Sequence, residues 1–161
     1  MAELLLLRHG IAEERSPALA DADRALTPAG RRRTEAVLQR LLALDLACEP
    51  LFTSPLVRAR QTAELAVAAG LAPRLALAPA LAPAGDPWPL LRWPPGVRRV
   101  GLVGHEPDLG DLAAALIGAA PGSLVLKKAG VALLLIEPDA GPRPRGRLRL
   151  LVGPAQLLAG S

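Results

Sequence analysis

The sequence predicts an α/β domain: a three-layer sandwich around a mostly parallel central sheet with an antiparallel edge. Strand and helix alternate along most of the 161 residues, the pattern of a sheet covered by helices on both faces. The first strand, residues 4–7, is an unbroken run of four leucines, as expected of a strand buried on both sides in a parallel sheet. Two late apolar runs, 131–136 and 148–152, flank a Gly/Pro/Arg turn with no helix between them, so they form a hairpin and supply the antiparallel edge. The length fits one domain over residues 1–161. A hydrophobic content of 51% is enough for a sizeable core and excludes a disordered chain.

The elements follow in order. After the leucine strand, residues 9–26 are polar and irregular. Thr27-Pro28 is an N-cap followed by proline at the first helical position. Leu38, Leu41 and Leu42 then recur at helical spacing, which leaves Arg31, Arg32, Arg33 and Arg40 toward solvent. Residues 51–53 form a second short strand. Ser54-Pro55 repeats the cap-plus-proline signal, with Ser54 as N-cap of a helix running to residue 69 and Gly70 as its terminator. Residues 74–77 are a weak third strand. Residues 79–96 contain six prolines and are expected to be loop, with one helical turn near 88–92. Residues 99–103 make a fourth strand. Gly104-His105-Glu106-Pro107 turns out of it into a helix over 108–117, stopped by Gly118.

Composition excludes several functions. The formal charge is +4 and nearly all the positive residues are arginine, the better fork for bidentate phosphate recognition. Apart from Arg31-Arg32-Arg33 these cations are scattered. With only Phe52, Trp88 and Trp93 as aromatics there is no platform for stacking bases, so nucleic acid is not an expected partner. The single cysteine, Cys48, rules out an internal disulfide and is expected to be packing. No apolar run approaches the ~20 residues of a membrane span. Glu3 stands where a signal peptide would carry a basic region. The expectation is a soluble, cytoplasmic, monomeric protein.

Three polar clusters fall at the carboxyl ends of predicted strands: Arg8-His9-Gly10, Ser54 through Arg58, and Gly104-His105-Glu106. Ligands of open α/β sheets bind at that edge. His9 and His105 are the only histidines, and each directly follows a strand. The middle cluster is a strand-to-helix turn, a favourable place for an anion, and Arg58 adds a forked donor. Two imidazoles and at least two guanidiniums around one point describe a site for a phosphoryl group. The cluster has too few ligands of the right kind for a metal.

These blocks resemble the signature of the histidine phosphatase superfamily, the phosphoglycerate mutase-like proteins. Arg8-His9-Gly10 is similar to its first block. Ser54 to Thr62 matches its Ser-Pro-x-x-Arg-Ala-x-Gln-Thr pattern at every fixed position, and Gly104-His105 is similar to its third block. The short length, Asp23-x-x-Leu26-Thr27-x-x-Gly30, Leu81-x-Pro83-x-Gly85-Asp86 and His105-x-Pro107 resemble the small SixA-type phosphohistidine phosphatases. The resemblance spans essentially the whole chain and implies a phosphoglycerate mutase-like fold.

The resemblance also implies roles. His9 is the expected nucleophile, forming a covalent phosphohistidine, with its other ring nitrogen protonated and bonded to a backbone carbonyl of the turn. Arg8 and Arg58 are expected to clamp the phosphoryl oxygens, and His105 to donate a further hydrogen bond. Gly10 and Arg24 are candidate substrate contacts, Arg24 also being able to pair with Asp21 or Asp23. No cofactor and no metal are expected. Larger relatives carry a proton-donating glutamate in an insertion after the third strand. Residues 80–95 contain no Glu here, and Asp86 is their only carboxylate and the candidate proton donor. Ile11 stands where some relatives place an acidic residue. The reading is metal-free hydrolysis of phosphohistidine on a partner protein. Its rivals are a small-molecule phosphomonoesterase using His9 with Asp86 as acid, and a non-catalytic module that binds phosphorylated partners.

Overall fold

Leucines 4–7 lie at the middle of strand β1, Ala2–Arg8, in a computed structural model that describes residues 2–137 and 143–160. Their side chains alternate between two cores. Leu5 and Leu7 pack with the helices of one face, and Leu4 and Leu6 with those of the other. This is the physical meaning of the continuous apolar run: both sides of the strand are out of water.

The sheet has six strands in the order β3-β2-β4-β1-β5-β6. Strands β2 (Leu51–Thr53), β3 (Leu75–Leu77) and β4 (Arg99–Gly104) join β1 in a parallel block. Strand β5 (Val131–Glu137) runs antiparallel to β1, and β6 (Arg145–Val152) antiparallel to β5. Helices α1 (Pro28–Ala43) and α2 (Val57–Ala69) cover one face, and α3 (Asp108–Leu116) covers the other. The expected three-layer architecture with an antiparallel edge is present. Among the described residues no helix is long and apolar enough to cross a membrane.

Local signals act where the sequence places them. Thr27 caps α1, its Oγ1 accepting the Gly30 N–H at 2.9 Å, and Pro28 opens the helix. Gly70 ends α2 with φ 89°, a left-handed turn that disfavours any side chain. Cys48 is buried, and Arg60 pairs with Glu64 at 3.3 Å along α2.

Other boundaries differ from expectation. Helix α2 begins at Val57 with Leu56 as N-cap and no side-chain cap. Ser54 instead holds the Leu56 N–H at 3.2 Å before the helix starts, so it shapes the turn and is not the cap. Helix α3 ends at Leu116, one residue short of the expected end, and β6 begins at Arg145, three residues earlier than expected. That early start pairs Arg145 with Glu137, whereas hydropathy shows only the later apolar part. Residues 138–142, part of the Gly/Pro/Arg turn, lie outside the described residues. Short 3-10 turns at Asp21–Asp23, Pro79–Leu81 and Trp88–Leu91, and a final single-turn helix α4 (Pro154–Leu157), complete the chain. Of these only the turn at Trp88 was expected. The others are too short to show a hydrophobic period.

Candidate active site

Strands β1 and β4 are neighbours in parallel register, with Arg8 opposite Gly104. The next residue on each is a histidine, so pairing alone delivers both imidazoles to the same point at the carboxyl edge. Their ring centroids lie 5.2 Å apart. Strand β2 flanks β4 with Thr53 opposite Val103, which brings Ser54 to the same edge. Helix α2 then rises from this edge and carries Arg58 on its first turn.

The side chains enclose a cavity of about 330 Å³, lined by Arg8, His9, Arg24, Arg58 and His105 among others. All four residues expected to do chemistry therefore converge. Arg24, the expected contact with two options, does both: it lines the cavity and its Nε donates to Asp21 at 2.9 Å. Gly10 contributes through its backbone. Its N–H donates to Thr62 Oγ1 at 3.1 Å, and a Cβ there would stand 2.2 Å from Thr34 Oγ1. Only glycine lets the turn lie this close to α1.

His9 is buried, and its Nδ1 lies 2.7 Å from the Gly10 carbonyl oxygen. A carbonyl only accepts, so Nδ1 carries the proton and Nε2 keeps its lone pair. Burial holds the His9 pKa down at about 3; the Gly10 bond opposes this, while His105, Arg58 and Arg8 add to it. Burial and then Arg58 likewise lower His105 to about 4. Both imidazoles are neutral at pH 7.

Each arginine is anchored through its terminal nitrogens. Arg8 Nη1 donates to the Leu126 carbonyl at 2.8 Å. Arg58 donates from Nη1 to the Asp21 carbonyl at 2.7 Å and from Nη2 to the Asp21 carboxylate at 3.1 Å. The Nε of both arginines is buried with no partner among the described residues. These unmet donors suit an oxyanion held between the two guanidiniums.

Several members of the site were not foreseen. Arg15, Asp21, Glu106 and Lys128 also line the cavity. Asp21 was seen only as a partner for Arg24. Burial raises its carboxyl, but Arg58 and Arg24 together outweigh this and hold it below its ordinary value. Glu106 belongs to the third polar cluster, but nothing in the sequence gives it a role of its own. Its two oxygens accept the Gly110 N–H at 2.7 Å and the Leu126 N–H at 3.3 Å, and burial lifts its pKa against those bonds and Arg8. Adjacency to His105 was the one available signal for Glu106. Lys128 comes from a turn before β5 that no pattern tied to the site. Asp86 does not line the cavity. Its Oδ1 accepts the Trp88 N–H at 3.2 Å, capping the loop.

Comparison with known proteins agrees with this architecture. Residues 4–82 match the histidine phosphatase superfamily (branch 1). An uncharacterized protein of Picosynechococcus sp. is 46% identical over 136 residues, covering 80% of this chain and 82% of that protein. The protein histidine phosphatase SixA, solved with tungstate, superposes with a TM-score of 0.80 at 25% identity, covering 96% of this chain and 99% of SixA. A mycobacterial glucosyl-3-phosphoglycerate phosphatase shares the fold, with a TM-score of 0.72 at 19% identity over 93% of this chain and 98% of its own. On the matched family, the close relative and the SixA likeness together, the chain belongs to the histidine phosphatase superfamily, SixA-type branch, and is a phosphatase.

Proposed function

We propose that the protein removes phosphoryl groups from phosphohistidine on a partner protein, without metal, through a phosphorylated His9. His9 Nε2 attacks phosphorus and the substrate imidazole departs; water then hydrolyses the phosphoenzyme. Arg8 and Arg58 bind the equatorial oxygens and hold their charge in the transition state. The SixA relative is described with tungstate, an oxyanion, and the unmet arginine donors here suit the same class of group.

The observation that carries the substrate class is that both carboxylates lining the cavity, and Asp86 outside it, are already engaged. Asp21 is held by Arg58 and Arg24, Glu106 by two backbone N–H groups, and Asp86 by Trp88. An alkoxide leaving group needs a proton donor in the transition state. An imidazole departs as a neutral molecule once solvent protonates its distal nitrogen, so it needs none from the enzyme.

A second reading rests on one fact: burial lifts the Glu106 pKa, and Glu106 lines the cavity. Freed from its amides it would be an acid for phosphate esters. A substrate panel separates the two. Phosphohistidine should be turned over well, p-nitrophenyl phosphate less well, and alkyl phosphates poorly. Asp86→Asn should retain nearly all its phosphohistidine activity, because an amide oxygen still caps Trp88. Efficient cleavage of alkyl phosphates by the wild type, lost in Glu106→Gln or Asp86→Asn, would overturn the phosphohistidine reading and leave His9 as nucleophile.

A further inference from the structure

We propose that Ser54 is a positioning residue: its hydroxyl donates to His105 Nε2 and fixes His105 as the Nδ1–H tautomer, so that Nδ1–H is the donor offered to the phosphoryl group. The inference rests on the site being a phosphoryl site, not on the identity of the leaving group.

Ser54 Oγ lies 2.8 Å from His105 Nε2. Ser54 is fully buried and His105 is 4% exposed, so water does not compete for this bond. The hydroxyl has one proton and two lone pairs. One lone pair takes the Leu56 N–H at 3.2 Å. Among the described residues the only acceptor within reach of the hydroxyl proton is His105 Nε2. His105 Nδ1 is buried and has no partner among the described residues.

The opposite tautomer fails twice. With the proton on Nε2, Ser54 Oγ would accept two N–H bonds and its own proton would have no acceptor. Nδ1 would then present a lone pair to an anionic substrate. Because burial keeps His105 neutral, it carries a single ring proton, and where that proton sits decides whether it helps or repels. The parallel register of β2 and β4 is what puts Ser54 and His105 together.

The chain has two histidines, so 15N-histidine labelling of tag-free protein gives a spectrum with two imidazoles. At pH 7 both should carry the proton on Nδ1, and the His105 Nδ1–H signal should shift when inorganic phosphate is added. Ser54→Ala should move the His105 proton wholly or partly to Nε2 and leave His9 unchanged. Its kcat on p-nitrophenyl phosphate should fall by about tenfold or more, with the melting curve still cooperative. A wild-type His105 protonated at Nε2 overturns the proposal, and this needs no variant to fold. So does a Ser54→Ala protein that keeps both the tautomer and the rate. Failure to cleave phosphohistidine would count against the substrate reading alone, because none of these readouts uses it.

Discussion

In the proposed mechanism His9 and Arg58 have separable tasks, and substitution should separate them. His9→Ala should lose all turnover and trap no radiolabelled phosphate. Arg58→Ala keeps the nucleophile and loses a charge clamp, so kcat should fall on the order of 10³-fold, as when an arginine finger is removed, while slow labelling of His9 persists. Equal residual activity in the two variants would contradict the assignment. The low pKa values make a second prediction. In the proposed mechanism His9 attacks as a neutral imidazole, and burial holds its pKa down at about 3. After correction for substrate ionisation, kcat/KM should hold down to about pH 4 and show no acid limb near the ordinary histidine value of about 6.5. The sign for stability follows from proton counting. Between about pH 6.5 and pH 3 the unfolded chain binds protons at His9 and His105 that the folded chain refuses. Stability therefore falls as pH drops through that window. The urea midpoint of wild type should fall further than that of His9→Ala as pH is lowered from 7 to 4.5, because the variant has lost one of the two refusing groups.

At the scale of the element, the turn that carries His9 is held by packing against α1 and α2. Gly10 sits on Thr34, and a Cβ on Gly30 would stand 2.1 Å from the Ile11 carbonyl oxygen. The Thr27 N–H in turn donates to that carbonyl at 3.0 Å. The start of α1 and the loop after His9 are thus one packed unit. Thr27→Ala removes the cap and should cost about 1 kcal/mol in denaturant unfolding, with little change in kcat. Gly30→Ala should cost more, about 1–3 kcal/mol by overpacking, and should lower kcat as well, because backbone beside His9 must move. Gly70 is the control: Ala there faces open space but left-handed backbone. Gly70→Ala should cost about 1–2 kcal/mol and leave turnover unchanged.

Across the whole molecule, the sheet collects charge at one edge. The cavity gathers Arg8, Arg15, Arg24, Arg58 and Lys128 against Asp21 and Glu106. In the proposed mechanism this surplus of cations does the work that a divalent ion does in many phosphoryl-transfer enzymes. Activity should survive exhaustive treatment with EDTA, and added Mg²⁺ should not raise it. Restoration of lost activity by a divalent ion would contradict the metal-free mechanism.

Most of the architecture was legible in the sequence because its signals are local. A leucine run, a Thr-Pro cap and a terminal glycine each act on their own few residues, and they mark β1, α1 and the end of α2. The convergence of His9, Arg58 and His105 was also legible, because a residue just past a parallel strand goes to a known edge of the sheet. Tertiary structure alone decided what surrounds them. Ser54 carries a cap's sequence signal, but register with β4 places it against His105, and it holds the turn instead of the helix. Asp21, Arg15 and Lys128 reach the cavity from irregular segments whose paths depend on long-range contacts, such as the Arg58 bond to Asp21 across 37 positions. Asp86 and Glu106 show the same limit. A carboxylate's role depends on which donors meet it, and here Trp88, Gly110 and Leu126 meet them through backbone N–H groups that no residue pattern encodes.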